Sequence, residues 1–312
     1  MPEGTPELLV VGERPDWYLE RLASEFTLHL LPSGRPEELD AAVAQRVEAL
    51  TSGGVLSGEL IAALPHLRLV AHGGAGYDKV DVSALRARDI RLTNTPGVTD
   101  GCVADMAFAL LLAVGRRITA GDAFVRARAW ESGDFPLVPR VHGQPIGILG
   151  LGRIGQAIAR RAAGFDMPVF YHNRRAVEGV PYTYCETPVD LAARSTFLVV
   201  ACPGGAATHH LVDAQVLEAL GPDGIVVNIA RGSIIDEVAL ADALEKGVIK
   251  GAGLDVFEHE PSVPQRLLDN QNTVLMPHRG GGTFETWRDA CDLVRANVRA
   301  HFAGQPLPTP VF

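Results

Sequence analysis

A chain of 312 residues is long enough for two domains with cores of their own, and 47% apolar with 21% charged residues is the balance of a globular protein rather than a disordered or fibrous one. The net charge of −9 argues against a nucleic-acid surface. Cys102, Cys185, Cys202 and Cys291 lie far apart with no paired spacing, so neither a zinc site nor a disulfide framework is expected, and a reducing, cytoplasmic setting fits.

Met1 to Glu7 has neither the basic region nor the apolar stretch of a signal peptide. Glu7 to Val11 reads as a short apolar strand, Asp16 to Ser24 as a helix, and Phe26 to Leu31 as a strand again. Pro36 to Arg46 carries apolar residues at helical spacing behind a proline at a first turn, which predicts one helix. Leu67 to Ala71 predicts a strand, Val82 to Arg88 a short helix, and Ile90 to Leu92 a further strand. Such alternation predicts βαβ units and a mostly parallel sheet.

Asn94 to Gly97 breaks the pattern. A long helix follows from Asp100 to Gly115, apolar on most sides in its second half and so expected to be buried between domains. Its apolar run from Met106 to Val114 is far short of the roughly 20 residues that span a bilayer, so no membrane partner is expected. Thr119 to Trp130 reads as helix, and Gly133 to Pro145 as a Pro/Gly-rich connection.

From residue 146 the alternation restarts, with strands predicted at 146–149, 169–171, 197–201, 225–229, 253–256 and 274–276. Arg279 to Gly282 is a flexible stretch, and Phe284 to Phe302 an amphipathic helix that returns to the first domain. The expectation is an α/β protein of two doubly wound parallel-sheet domains. A domain over residues 98–283 is inserted into a smaller α/β domain built from 1–97 and 284–312. The junctions near 94–97 and 279–283 suit closure of a cleft that excludes water.

The strand at 146–149 runs into Gly150, Gly152 and Gly155, and a helical segment follows at once. In such a turn the first glycine lets the chain bend, the second lets backbone approach a pyrophosphate, and the third lets helix pack on strand. The helix N-terminus, with Arg153 and Ile154, then offers N–H groups and a positive dipole end to the anion. An acidic residue for the ribose 2′-hydroxyl is expected about 20 residues on. His172, Asn173, Arg174 and Arg175 stand there instead, which favours a cofactor with a 2′-phosphate.

Ligands of an open parallel sheet sit beyond the carboxyl ends of its strands. The last three predicted strands deliver Arg231, then Asp255 with Glu258, His259 and Glu260, then His278 to the rim that the glycine turn occupies. A guanidinium holds a carboxylate or polarises a carbonyl. A carboxylate beside an imidazole favours a proton-donating ring. The run Gly73 to Gly76, directly after a strand, reads as an anion-binding nest.

With these residues in place the chain resembles the D-isomer-specific 2-hydroxyacid dehydrogenases over nearly its whole length. The likeness rests on Gly74 to Asp78, Asn94 to Val98 with Val103 to Asp105, Gly150 to Gly155, Cys202 with Pro203, Asn228 to Glu237, Gly253 to Pro261, and Pro277 with His278. The resemblance implies a Rossmann domain inserted into a flavodoxin-like substrate domain. It implies that Arg231 binds the carboxylate and carbonyl of a small 2-oxoacid or 2-hydroxyacid substrate, that His278 is the acid–base residue, and that Glu260 is its paired carboxylate. Asp255 then lies near the nicotinamide carboxamide. Cys202 and Pro203 line the cofactor, and the N–H groups of Ala75 and Gly76 receive the substrate carboxylate.

Within the family the segment at 173–175 resembles that of NADP-preferring glyoxylate/hydroxypyruvate reductases. Arg174 is the 2′-phosphate ligand on this reading, assisted by Asn173 and Arg175, with NADP(H) preferred and NAD(H) possible. Arg279 departs from the small apolar residue more common after the histidine. Trp130, Phe135, Leu137 and Trp287 belong to segments expected to line the cleft or an interface, and a homodimer is expected because relatives use the segment before the nucleotide strand to dimerise. The competing readings are a phosphoglycerate-type NAD enzyme and a nucleotide-sensing corepressor-like binding protein.

Overall fold

Short apolar runs bounded by turn residues become strands where helices cover both of their faces, and this governs both sheets of the protein. The computed structural model describes residues 5–312; residues 1–4, part of the stretch read for a signal peptide, lie outside them. The chain divides into two units, one of residues up to 99 together with 283–312, the other of residues 100–282.

In chain order the first unit contributes β1 (Glu7–Val11), α1 (Asp16–Ala23), β2 (Thr27–Leu31), α2 (Ala41–Ala44), β3 (Ala49–Ser52), α3 (Gly58–Ala62), β4 (Leu69–His72), α4 (Val82–Ala87) and β5 (Arg91–Thr93). The second contributes α5 (Asp100–Gly115), α6 (Ile118–Arg126), β6 (Ile146–Leu149), α7 (Arg153–Ala163), β7 (Val169–His172), β8 (Thr183–Tyr184) and α8 (Pro188–Ala193). It continues with β9 (Phe197–Val200), α9 (Ala214–Leu220), β10 (Ile225–Asn228), α10 (Glu237–Glu245), β11 (Gly251–Leu254), α11 (Gln265–Asp269) and β12 (Thr273–Leu275). The chain returns to the first unit with α12 (Phe284–Phe302).

The first sheet is parallel throughout, in the order β2-β1-β3-β4-β5, which is the flavodoxin-like order. Alternate residues of β1 face opposite cores. Leu8 and Val10 pack with Tyr18 and Leu22 of α1 and with Val294 and Val298 of α12, whereas Leu9 and Val11 pack with Leu60, Ile61 and Leu85 of α3 and α4.

The second sheet is also parallel, in the order β12-β11-β10-β9-β6-β7-β8. Chain order reverses between β6 and β9, the switch point at which this architecture binds nucleotides. Ile146, Ile148, Val199 and Val227 meet α5 and α7 on one face; Leu149, Leu198, Val200 and Val226 meet α8, α9 and α10 on the other. α5 packs against β10, β11, β12 and α7, which accounts for its nearly unbroken apolar character.

Four sequence expectations change. β3 was not expected, yet all four of its residues, the polar Thr51 and Ser52 included, are buried in the sheet. The helix expected over Pro36–Arg46 is broken, because the Asp40 side chain accepts the N–H groups of Ala42 and Val43 at 2.8 and 3.0 Å and starts α2 afresh. The helix expected over Thr119–Trp130 ends at Arg126, before Arg128 takes a left-handed φ of 56°. The strand expected at 253–256 ends at Leu254, so Asp255 sits just beyond it.

Candidate active site

The glycine turn is built by close approach. Gly150 has a φ of 105°, and a Cβ there would lie 2.5 Å from the backbone nitrogen of Cys202, because the ends of β6 and β9 run against each other at the switch point. A Cβ on Gly155 would lie 2.1 Å from the carbonyl oxygen of Gly150, so only glycine lets α7 close on the turn. A Cβ on Gly152 would meet nothing within 4 Å. Gly152 is the N-cap of α7 and no side chain caps it, which leaves the first-turn N–H groups open to an anion. The turn therefore fits a dinucleotide pyrophosphate: two glycines serve packing and the third opens onto free space. Arg153 is exposed, and its Nε lies 3.3 Å from a carboxylate oxygen of Asp100.

Beside this turn, the Cys202 thiol is pushed up to about 11 by burial and stays neutral. The Pro203 carbonyl accepts the Thr208 hydroxyl at 2.8 Å. At the end of β7 the Asn173 side-chain oxygen accepts the N–H of Leu151 at 2.7 Å, so Asn173 braces the glycine turn itself. Arg174 and Arg175 are exposed, and neither makes an ion pair among the described residues.

The next three strand ends present the residues expected there. After β10, the buried Asn228 side chain accepts the N–H of Ala230 at 3.0 Å and donates to the carbonyl of Arg231 at 2.8 Å, which fixes the loop that presents the arginine. The Arg231 guanidinium donates to the Ala230 carbonyl at 2.7 Å, and the side chain lies over Gly204, where a Cβ would fall 2.7 Å from its Cγ.

After β12, His278 adopts a left-handed φ of 52°. Its Nδ1 donates to Oε1 of Glu260 at 2.8 Å, which turns Nε2 away from the carboxylate. The histidine side chain is 43% exposed and the glutamate 22%, so the pair opens toward solvent on the imidazole side.

Asp255, only 1% exposed, joins these loops. Its carboxylate accepts the N–H groups of Arg279 and Gly280, each at 2.7 Å, and its carbonyl accepts the N–H of His278 at 2.8 Å. Burial pushes this carboxyl above the ordinary carboxylate range, and the two N–H bonds pull the other way. The Arg279 side chain is exposed.

In the first unit, the loop after β4 has its carbonyls tied inward. Gly74 accepts from the N–H of Thr95 at 3.1 Å, Ala75 from the Asn94 side chain at 2.7 Å, and Gly76 lies 3.0 Å from Nε2 of His72. Among the described residues no hydrogen bond uses the N–H of Ala75 or Gly76, which gives this loop the polarity of an anion nest.

Comparisons with known proteins identify the family and the fold. The family model for the NAD binding domain of D-isomer specific 2-hydroxyacid dehydrogenases matches residues 108–280. The chain belongs to the D-isomer-specific 2-hydroxyacid dehydrogenase family. It is 49% identical over 253 residues to a hydroxyphenylpyruvate reductase of Plectranthus scutellarioides, covering 81% of each chain. It is 40% identical over 311 residues to a 2-ketogluconate reductase of Gluconobacter oxydans, covering 98% of each. Among solved structures, an NADPH-dependent glyoxylate/hydroxypyruvate reductase from Sinorhizobium meliloti, in complex with NADP and malonate, superposes with a TM-score of 0.94 at 42% identity, covering 99% of this chain and 97% of that one. As a family member the chain is an NAD(P)-dependent dehydrogenase by class, and its two parallel sheets match those relatives.

Two bracing roles in this arrangement were not assigned from the sequence, although Asp255 was expected near the cofactor. Asn228 braces the Arg231 loop, and Asp255 holds the His278 segment through backbone rather than standing only as a cofactor contact. A buried polar residue at the end of an apolar strand was the available signal for both.

Proposed function

We propose that the protein reduces a small 2-oxoacid of the glyoxylate/hydroxypyruvate type to the D-2-hydroxyacid, using NADPH. The observation that carries the reading is the 2.8 Å bond between His278 and Glu260 on the rim that also bears Arg231 and the glycine turn. Gly150, Gly152, Gly155 and the N-terminus of α7, with Arg153 and Ile154, hold the pyrophosphate; Cys202, Pro203 and Asp255 border the rest of the cofactor. When bound, the reduced nicotinamide supplies a hydride.

The chain's own residues do the remainder. Ala75 and Gly76 take the substrate carboxylate through their N–H groups, and Arg231 binds carboxylate and carbonyl and steadies negative charge on the carbonyl oxygen. His278 gives that oxygen a proton from Nε2, while Glu260 holds the ring by Nδ1 and stabilises it when it carries charge.

The preference for NADPH rests on β7 ending in His172 with Asn173, Arg174 and Arg175 after it and no acidic residue among these four. Two exposed guanidiniums suit a 2′-phosphate. A homodimer is supported by the apolar surface of α6 and the connection after it, where Ile118, Val125, Trp130 and Leu137 are 54%, 55%, 65% and 102% exposed. Among the described residues no helix is long and apolar enough to cross a membrane.

The test is a panel of glyoxylate, hydroxypyruvate, pyruvate and phenylpyruvate assayed with NADPH and with NADH. Turnover with a much lower KM for NADPH is expected. No turnover with any of them would replace this reading with a cofactor-binding protein, and equal constants for the two cofactors would remove the NADPH preference. Light scattering checks the dimer, which Leu137→Glu should convert to monomer.

A further inference from the structure

A second cluster of ligating side chains lies in the 100–282 unit, built from two loops that the proposed reaction uses only in part. His209 and His210 follow the single turn of 3-10 helix at Ala206–Thr208, in the connection from β9 to α9, and Glu258 lies in the connection from β11 to α11. The Nε2 atoms of both rings face the same carboxylate: His209 is 3.4 Å and His210 3.2 Å from Oε1 of Glu258. The three donor atoms fall within 4.8 Å of one another.

Adjacent residues seldom present side chains to one point. Here His210 takes a left-handed φ of 50°, which stacks its ring on that of His209 with centroids 3.9 Å apart. That backbone is held by the N–H of His210 bonding to the Ser233 carbonyl at 2.9 Å, and by a parallel bridge between Val212 and Ile235. Glu258 is held in turn, its N–H donating to Glu237 at 2.9 Å.

The spacing that lets His210 hydrogen-bond Glu258 also suits a shared metal ion. A tetrahedral ion with bonds of about 2.0–2.1 Å to imidazole nitrogen and carboxylate oxygen separates its ligand atoms by roughly 3.3 Å. The Glu258 contacts, at 3.2 and 3.4 Å, have that length. Nδ1 of His210 lies 4.0 Å from Oδ2 of Asp236, so a further negative charge stands on the other side of the ring. Exposure rises from 20% at Glu258 through 34% at His210 to 54% at His209, so the fourth position opens to water.

We propose that His209, His210 and Glu258 form a binding site for a divalent transition metal of the zinc class. Two imidazole nitrogens and one carboxylate oxygen select zinc, cobalt or nickel over magnesium or calcium. The bound ion would join the 209–210 connection to the 257–260 loop that carries Glu260. The cysteine spacing that announces zinc in a sequence is absent because these ligands are a histidine pair and a glutamate far along the chain.

The experiment uses the full chain stripped with EDTA, dialysed against micromolar ZnCl2 and, separately, CoCl2. The expected result is one equivalent of Zn2+ per chain, a rise in the thermal midpoint on adding it, and a Co2+ spectrum without thiolate charge transfer. His209→Ala and Glu258→Gln should each weaken Zn2+ binding more than about tenfold and abolish the thermal shift. His209 is the most exposed ligand, so its variant should fold, as circular dichroism in EDTA checks. No stoichiometric binding, binding that survives either substitution, or a thiolate band in the Co2+ spectrum overturns the proposal.

Discussion

Asp255 holds His278 through the backbone: its carbonyl accepts the histidine N–H at 2.8 Å while its carboxylate accepts the next two N–H groups at 2.7 Å each. The left-handed φ of 52° at His278 is unfavourable for a histidine left to itself, and these three bonds over-determine it. Asp255→Ala should therefore cost about 2–5 kcal/mol of stability, because two N–H groups lose their acceptor in a buried place. It should also lower kcat with the cofactor still bound. Urea unfolding and steady-state kinetics check both, and an unchanged kcat would show that His278 keeps its place without this brace.

The three motif glycines should separate by substitution. In Gly155→Ala the added carbon meets backbone at 2.1 Å and cannot be relieved by a rotamer, so loss of folding or of the turn is expected. Gly152→Ala meets nothing and has an ordinary φ of −81°, so stability should stay within about 1 kcal/mol. Its NADPH affinity should nevertheless fall, since the new methyl occupies the space assigned to the phosphates. A Gly152→Ala protein that binds NADPH normally would remove that assignment.

Arg174→Ala should raise the KM for NADPH about tenfold or more and leave that for NADH nearly unchanged, because only the 2′-phosphate loses a partner. Asn173→Ala should behave differently. It removes the acceptor of the Leu151 N–H and so should weaken both cofactors together. Steady-state kinetics with each cofactor tells the two effects apart.

His278→Ala should lower kcat by about 100- to 10,000-fold, the range for loss of a general acid, with little change in cofactor affinity. Glu260→Gln keeps the size of the side chain but withdraws the charge opposite Nδ1, so kcat should fall less and the pH–rate profile should move. A profile that stays in place would mean that Glu260 only positions the ring.

What the sequence made legible follows from which interactions are local. α12 was readable over its full length because its apolar residues fall at helical spacing, α5 because its apolar run is too long for a strand, and β6, β9 and β10 because they are short continuous apolar runs. β3 was not, since Thr51 and Ser52 are polar and break the apolar run, and it is pairing with β1 and β4 that makes them part of a buried strand. Arg231, Glu260 and His278 were readable from position at strand ends. The bond of Asp255 to residues 24 and 25 places later, and that of Asn173 to Leu151, depend on strand register and could not be read from spacing. The His209, His210 and Glu258 cluster was hidden for the same reason.

Acid should loosen the first unit through Glu25. This carboxyl accepts from Arg299 at 2.8 and 2.9 Å and also from Arg295, tying the end of α1 to α12. Burial alone would push it up, but the hydrogen bonds from Arg299 and Arg295 outweigh burial and hold it below its ordinary value of 4.5. A folded value below the unfolded one gives stability that is present above the unfolded value and lost as pH falls through the folded one. Glu25→Gln should therefore cost about 1–2 kcal/mol at neutral pH, with the difference from the parent shrinking once pH falls below 4.5. Urea midpoints across a pH series check this. A penalty that persists undiminished in acid would mean that Glu25 stabilises by packing rather than by charge.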